Sequence, residues 1–207
     1  MKVLISDDHA IVRKGLIGLL KEGYPDVEVF EAGNSSDTID IARRELPDVI
    51  LMDISMPGKN GMETLKQLKA DGVRSPILML SMHPEEHYAI RCLKAGASGF
   101  INKESATEEL LGAVQKVLSG KKYISPAVAE QLAENVESGA RPLHETLSDR
   151  EMQVLQRIAS GKTVSEIAEE IFLSVNTIST YRGRILEKLK LSNNAEITRY
   201  AIENDLV

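Results

Sequence analysis

The stretch that decides the fold is VILMDISMPGKNG, residues 49–61. Four apolar residues run into Asp53, and the loop that follows contains Pro57 and Gly58, a pattern typical of a buried strand that ends at a tight loop. Three other apolar runs also end on polar residues, namely 3–5 on Ser6-Asp7-Asp8, 77–80 on Ser81 and 99–101 on Asn102-Lys103. The repetition predicts several buried strands with polar side chains at their carboxyl ends.

Strand and helix patterns alternate over the first 120 residues. The predicted strands are 2–6, 27–32, 48–53, 76–81 and 99–102, and the helices lie near 10–22, 35–45, 61–71, 85–95 and 106–119. This alternation predicts an α/β fold with a doubly wound, five-stranded parallel sheet and helices on both faces. We also expect left-handed glycine caps at Gly23, Gly72, Gly96 and Gly120, and capping boxes at Asn60…Glu63 and Ser105…Glu108.

From Leu147 onward the pattern is only helical. The predicted helices are 149–160, 164–171, 175–190 and 194–204, with capping boxes at Ser148…Glu151 and Thr163…Glu166. Phe172-Leu173-Ser174 is a tight turn before the longest helix, which predicts a helix-turn-helix in a small all-α domain. The predicted boundaries are 1–122 for the first domain, 123–146 for a linker with a short helix at 125–136, and 147–207 for the second domain.

The composition excludes several classes of protein. The chain has 207 residues, and Cys92 is its single cysteine, which rules out an internal disulfide and fits a reducing compartment. The start, MKVLISDDHA, is too acidic for a signal peptide, and no apolar run approaches the roughly 20 residues of a membrane span. We therefore expect a cytoplasmic protein. Its net charge of −6 argues against nucleic-acid binding by bulk charge.

The strand ends predict a phosphoryl site. Because the carboxyl ends of neighbouring parallel strands share one edge, Asp7, Asp8 and Asp53 should meet Ser81 and Lys103 there. Three crowded carboxylates repel one another unless a cation lies among them, and their oxygens favour Mg²⁺. A lysine and a hydroxyl suit a phosphoryl group, so we expect an aspartate that receives phosphate as an acyl phosphate. Taken alone, Asp8 would more often be a helix N-cap, but Asp53 and Lys103 at matching strand ends favour the shared site.

Residues 1–120 resemble the receiver domain of bacterial two-component response regulators. The matching pieces are Asp7-Asp8, residues 53–61, Ser81, Ala95-Gly96-Ala97, Gly99-Phe100 and Lys103. The resemblance implies that Asp53 is the phosphoacceptor. It implies that Asp8, Asp53 and the Ser55 carbonyl bind Mg²⁺, with Asp7 acting through water, and that Ser81 and Lys103 contact the phosphoryl group. Phe100 matches an aromatic switch position where many relatives have tyrosine, so its inward swing would be driven by burial alone.

The second half resembles the four-helix DNA-binding domain of the LuxR class, through residues 147–151, 161–168 and 173–178. Together the two halves look like a NarL/FixJ-type response regulator. Helix 175–190 has four basic residues and one acid, so positive charge is local to it. The expected DNA-binding residues are Asn176, Thr177, Ser179, Thr180, Arg182, Gly183, Arg184 and Lys188. We assign Arg182, Arg184 and Lys188 mainly to phosphates, and Ser179 and Thr180 to bases.

The leading hypothesis is a transcription regulator controlled by phosphorylation, with no enzymatic activity beyond self-phosphorylation and self-dephosphorylation. The implied partners are a histidine kinase, double-stranded DNA and a second copy of the chain after phosphorylation, with RNA polymerase as a further candidate. Three alternatives stay open. An aspartate phosphatase would often carry an acid two residues after its nucleophile, where this chain has Ser55. A regulator that works without phosphate is the second. The third concerns residues 147–207 alone, which could be an ordinary helical interaction module.

Overall fold

A computed structural model describes residues 1–56, 60–82, 85–126, 128–130, 142–204 and 206–207. The chain divides into two compact units, residues 1–136 and 137–207. In the part of the chain described, no helix combines the length and the apolar character that crossing a membrane requires.

The first unit is an α/β fold with a five-stranded, all-parallel sheet in the order β2-β1-β3-β4-β5, as predicted. Its strands are β1 (Lys2–Ser6), β2 (Glu28–Ala32), β3 (Val49–Asp53), β4 (Ile77–Ser81) and β5 (Gly99–Asn102). Its helices are α1 (Ala10–Gly23), α2 (Ser35–Glu45), α3 (Gly61–Ala70), α4 (Glu85–Lys94) and α5 (Ala106–Leu118). The strand order reverses between β1 and β3, and ligands of such sheets bind at the carboxyl ends beside that point.

The central strands are buried on both faces, which explains why they read as unbroken apolar runs. Alternate residues enter two separate cores because side chains of a strand point to opposite faces. Leu4, Ile50 and Met79 pack in one core, and the other contains Val3, Leu51 and Leu80. The sheet is therefore a rigid frame that holds the residues at its carboxyl edge.

Two predictions about helix ends were wrong. Gly72, Gly96 and Gly120 have positive φ as expected, but Gly23 is the last residue of α1 and does not. A Cβ on Gly23 would lie 2.7 Å from Leu111 Cδ2, so this glycine lies where α1 packs closely on α5. Ser105 has a right-handed backbone instead of the extended one that an N-cap needs, so it makes no capping bond, and its hydroxyl donates to the Asn102 carbonyl at 3.1 Å.

The start of the predicted linker packs on the sheet. Tyr123 N–H donates to the Ser98 carbonyl at 2.9 Å, and Tyr123 forms a parallel bridge with Gly99. Residues 126 and 128–130 are helical, and Val128 is buried in the core of the first unit. The rest of the helix predicted to residue 136, and residues 137–141, lie outside the described residues. The predicted domain boundaries stay predictions.

The second unit is all-helical. A 3-10 turn (Leu143–Thr146) precedes α6 (Asp149–Ala159), α7 (Val164–Glu170), α8 (Val175–Leu189) and α9 (Asn194–Glu203). Ser148 with Glu151 and Thr163 with Glu166 form the two predicted capping boxes. One apolar core joins the helices, with Ile178, Ile185 and Leu189 as the buried side of α8. The opposite side of α8 is therefore available to a partner.

Replacing Glu151 by glutamine should make the stability of the second unit less sensitive to acid. Glu151 Oε2 accepts from Ser148 N at 2.7 Å and from Lys188 Nζ at 2.6 Å. Burial acts to raise the pKa of Glu151, but the hydrogen bonds with Lys188 and Ser148 outweigh it and lower the pKa. A lowered carboxyl pKa adds stability above the unfolded-state value of about 4.3, and that stability is lost as pH falls through the folded-state pKa.

Glu151→Gln should therefore cost about 1–2 kcal/mol at neutral pH. The cost should shrink once pH falls below the unfolded-state pKa and should vanish below the folded-state pKa. Urea unfolding at neutral pH and at a pH below the folded-state pKa measures the difference in free energy of unfolding between Glu151→Gln and wild type. Glu169→Gln, at an exposed position, is the control. If the difference in free energy of unfolding is equal at the two pH values, lost packing and not lost charge causes it.

Candidate functional site

Three strands deliver their polar residues to one edge of the sheet. Asp53 is the last residue of β3 and is 2% exposed. Asp7 directly follows β1, and its N–H donates to the Ala32 carbonyl of β2 at 3.1 Å. Lys103 directly follows β5, and its N–H donates to the Ser81 carbonyl of β4 at 2.8 Å. These backbone bonds extend the sheet by one residue and hold the side chains at its edge.

The ammonium of Lys103 lies between two carboxylates. Its Nζ is 2.6 Å from Asp7 Oδ2 and 2.9 Å from Asp53 Oδ2. All three side chains are at most 8% exposed, so the ion pairs are shielded from water. Such charge-assisted contacts hold both aspartates in fixed positions.

The remaining oxygens form a site suited to a hard cation. One ligand atom from each of Asp7, Asp8, His9 and Asp53 lies within 4.8 Å of the others. Asp8 Oδ1 is buried and accepts no hydrogen bond, although His9 Nδ1 lies 2.8 Å away. Three carboxylates face one lysine, so a divalent cation would relieve an excess of negative charge. The donor set therefore fits Mg²⁺, which prefers oxygen ligands over the ring nitrogen of His9.

The protonation equilibria reflect this crowding. Burial raises the pKa of Asp53, Lys103 opposes that rise, and the charge of Asp7 adds to it. Burial acts to lower the pKa of Lys103, but Asp53 and Asp7 outweigh it and raise that pKa. The lysine is therefore firmly charged, while the negative charge of Asp53 is under-compensated.

The other predicted receiver residues occupy defined positions around this cluster. Ser81 ends β4 and is fully buried, and Ser55 N donates to Asp53 Oδ1 at 3.1 Å. Phe100 is 2% exposed and lies opposite Met79 in the sheet, so its ring is already inside the core. The predicted inward swing of Phe100 stays a prediction. Of the loop after Asp53, residues 57–59 lie outside the described residues.

Two neighbours of the site escaped the sequence analysis. His9 N–H donates to Asp7 Oδ1 at 2.8 Å, and Arg13 Nη1 donates to the Asp7 carbonyl at 2.8 Å. Arg13 also pairs with Glu31 at 2.8 Å. His9 could have been noticed because it follows the two aspartates, whereas nothing in the local sequence signals Arg13. Both residues restrain Asp7.

The predicted DNA-binding residues lie along the outward side of α8. Asn176, Ser179, Thr180, Gly183, Arg184 and Lys188 are exposed, and Thr177 and Arg182 are half-buried. Two of the three predicted phosphate contacts have partners within the unit. Lys188 Nζ pairs with Glu151, and Arg182 Nε donates to Asn194 Oδ1 at 2.5 Å. Arg184 forms no ion pair among the described residues, so its charge is the most accessible of the three.

Two family models match the chain. The "Response regulator receiver domain" covers residues 3–115, and "Bacterial regulatory proteins, luxR family" covers residues 145–201. Response regulator GacA of Pseudomonas aeruginosa is 34% identical, across 100% of this chain and 98% of GacA. Response regulator UvrY of Escherichia coli K12 is also 34% identical, across 100% of this chain and 95% of UvrY.

A solved structure agrees with these relatives. RcsB from Salmonella enterica serovar Typhimurium, bound to the rprA promoter with the phosphomimetic BeF3-, is 27% identical with a TM-score of 0.65. The match covers 97% of each chain. Family models, full-length relatives and the structural match thus agree on both halves. The chain belongs to the NarL/FixJ-type response regulators, transcription regulators with an N-terminal receiver domain and a C-terminal LuxR-type DNA-binding domain.

Proposed function

We propose that Asp53 accepts a phosphoryl group from a histidine kinase in a Mg²⁺-dependent step, and that this controls DNA binding by α8. The observation that carries the proposal is the position of Lys103 Nζ, within 2.9 Å of both Asp7 and Asp53 at the edge of the sheet. An ammonium held beside two buried carboxylates can move its contact from an aspartate oxygen to a phosphate oxygen when Asp53 becomes phosphorylated.

The chain's own residues account for the transfer. A carboxylate oxygen of Asp53 attacks phosphorus, the bond from phosphorus to the kinase histidine nitrogen breaks, and an acyl phosphate forms. Asp8, Asp53 and the Ser55 carbonyl would hold Mg²⁺, with Asp7 acting through water, and the cation would offset charge on the phosphoryl oxygens. Lys103 supplies the second positive charge, and the Ser81 hydroxyl donates a hydrogen bond to the phosphate.

The output is DNA binding. RcsB is seen on promoter DNA in the presence of BeF3-, which supports the same partner here. Phosphorylated chains would pair, and two copies of α8 would then reach half-sites about one helical turn of DNA apart. RNA polymerase is a further candidate partner. Ser55, two residues after the nucleophile, favours a regulator with a lasting phosphate over a phosphatase that needs an acid there.

Labelling by a small phosphodonor tests the proposal. The purified chain is incubated with acetyl phosphate, with Mg²⁺ or with EDTA, and run on a phosphate-retarding gel. A retarded band that requires Mg²⁺ is the expected result. A folded chain that is not labelled with Mg²⁺ by acetyl phosphate or by a phosphorylated kinase would overturn the proposal and favour a regulator that works without phosphate.

Arg184→Ala should weaken DNA binding more than Lys188→Ala does. Each phosphate contact contributes about 0.9 to the slope of log affinity against log salt. Arg184 is exposed without an ion pair among the described residues, whereas Lys188 must leave Glu151 before it can reach a phosphate. We therefore expect the slope to become shallower by about 0.9 in Arg184→Ala and by less than that in Lys188→Ala.

Mobility-shift titrations of a duplex over a range of salt concentrations measure both slopes. Arg199→Ala is the control, because that exposed arginine lies on α9 beside Glu203. Equal slopes for Arg184→Ala and wild type would remove Arg184 from the DNA interface.

A further inference from the structure

A buried set of hydroxyl groups lies directly beneath the acidic cluster. Ser6 is the last residue of β1, immediately before Asp7, and Thr38 is in the first turns of α2. Both are 0% exposed, and Met56, in the loop after Asp53, is 4% exposed. The Ser6 side chain therefore contacts the loop that carries Ser55 from inside the protein, where water cannot replace it.

The contacts outnumber the available hydrogens. Ser6 Oγ lies 2.5 Å from Thr38 Oγ1 and 3.0 Å from Met56 Sδ, and Thr38 Oγ1 lies 2.6 Å from the Asn34 carbonyl. Each hydroxyl carries one hydrogen, and neither the carbonyl nor the thioether can donate. Three contacts thus share two hydrogens, and one contact must be without a hydrogen bond.

Two arrangements keep a hydrogen in the shortest contact, the 2.5 Å contact between Ser6 Oγ and Thr38 Oγ1, where two lone pairs facing each other would repel. If Thr38 donates to Ser6, then Ser6 donates to Met56, and the Asn34 carbonyl keeps the Thr38 backbone N–H at 3.1 Å. If Thr38 donates to Asn34, then Ser6 donates to Thr38 and the bond to Met56 is lost. The direction of the Thr38 hydroxyl therefore decides whether a hydrogen bond joins Ser6 of β1 to Met56 in the loop beside the site.

The neighbouring hydroxyl pair has no such shortage. Ser35 Oγ lies 2.6 Å from Thr64 Oγ1, and Thr64 Oγ1 donates to the Asn60 carbonyl at 2.9 Å. Two hydrogens serve two contacts there, so one arrangement satisfies both. Ser35 is 5% exposed and provides a matched buried serine that does not bond to the loop.

We infer that Ser6 is a positioning residue for the cation site, acting through its hydrogen bond to Met56. The bond ties the Ser55 segment to the strand that carries Asp7, so it sets the distance between the Ser55 carbonyl and the aspartates. Thr38 competes for the same Ser6 hydrogen and weakens that tie. The inference rests on the proposed Mg²⁺-dependent phosphorylation of Asp53.

The test compares Ser6→Ala, Thr38→Val, Met56→Leu and the control Ser35→Ala in the full chain. Two readouts are taken: the Mg²⁺ concentration at half-maximal labelling by acetyl phosphate, and the Mg²⁺ concentration at half-maximal rise of the thermal midpoint without phosphodonor. Loss of a hydrogen bond made directly to a metal ligand typically weakens metal binding about 10–100-fold. Ser6 acts one residue away from Ser55, so the low end of that range, about a 10-fold increase in the required Mg²⁺ concentration, applies here. We expect that increase for Ser6→Ala and Met56→Leu, and no increase for Ser35→Ala.

Two further results separate positioning from simple destabilisation. Thr38→Val removes the competitor, so it should lower the thermal midpoint without raising the Mg²⁺ requirement. The double variant Ser6→Ala/Met56→Leu should need no more Mg²⁺ than either single variant, because both remove the same bond. An unchanged Mg²⁺ requirement in Ser6→Ala, or additive effects in the double variant, would overturn the inference.

Failure of the proposed function looks different. If wild type is labelled neither by acetyl phosphate nor by a phosphorylated kinase while Mg²⁺ still raises its thermal midpoint, the phosphoacceptor proposal fails and the midpoint readout still decides the role of Ser6. If Mg²⁺ leaves the wild-type midpoint unchanged, the chain has no cation site for Ser6 to position and the inference fails.

Discussion

Asp53→Asn is expected to abolish labelling of the chain by acetyl phosphate. The amide oxygen of asparagine is a poor nucleophile, and an acyl phosphate requires a carboxylate. The substitution is nearly isosteric, so the amide oxygen can still accept from Ser55 N, and Lys103 keeps its contact with Asp7. The loss of labelling should therefore come from chemistry and not from unfolding.

Stability provides an internal check on this variant. Because burial and the charge of Asp7 raise the pKa of Asp53, its ionised form is disfavoured in the folded state at neutral pH. Removing that charge should leave the thermal midpoint in Mg²⁺-free buffer equal to or above that of wild type. A phosphate-retarding gel and a thermal melt measure the two effects. Asp40→Asn, an exposed aspartate of α2, should be labelled like wild type.

Residual labelling of Asp53→Asn would contradict the assignment. It would point to another carboxylate of the cluster, with Asp8 first because its Oδ1 accepts no hydrogen bond among the described residues. Asp8→Asn in the same assay would then lose the label, and the roles of nucleophile and cation ligand would have to be exchanged.

Gly61→Ala should destabilise the receiver severely. Gly61 is the first residue of α3, and its N–H donates to the Ile54 carbonyl at 2.9 Å. A Cβ at this position would lie 1.9 Å from the Asp53 carbonyl oxygen and 2.9 Å from Ile54 Cα. These are backbone atoms of the strand end that carries Asp53, so no side-chain rotation relieves the overlap. We expect a cost of about 3 kcal/mol or more.

Urea unfolding of the full chain followed by circular dichroism measures this cost. Gly112→Ala is the matched control, because Gly112 lies exposed in α5 and its Cβ would meet no atom within 4 Å. That control should gain about 0.5–1 kcal/mol, since alanine is the better helix former. A loss smaller than about 1 kcal/mol for Gly61→Ala would mean that α3 can shift away from Asp53 easily.

Local sequence was sufficient to predict the strands and helices and to name the polar residues that meet at the carboxyl edge of the sheet. Unbroken apolar runs predict strands buried on two faces, and the five predicted strands and their parallel sheet are confirmed. The sequence itself shows which polar residue follows each apolar run. Parallel strands then bring such ends to one edge, which is why Asp7, Asp53 and Lys103 could be named before any distance was known.

Helix ends show where local reasoning fails. Asn60, Ser148 and Thr163 form the predicted capping boxes because all their partners lie within four residues. Gly23 follows the same sequence pattern as the other glycines at helix ends. What distinguishes it is its close packing against Leu111, which lies 88 positions away in the sequence. A residue so distant leaves no trace in the local pattern.

Sequence by itself determined the family, the order of the elements and the identity of the polar side chains at the strand ends. Tertiary structure alone decided which charges are paired and which hydroxyls compete. Lys103 contacts both Asp7 and Asp53, Lys188 is held by Glu151, and Ser6 is shared between Thr38 and Met56. The physical reason is range. Helices and their caps depend on bonds within about four residues, and strands buried on both faces appear as local apolar runs, whereas ion pairs and buried hydrogen bonds depend on distances that only the packed fold sets.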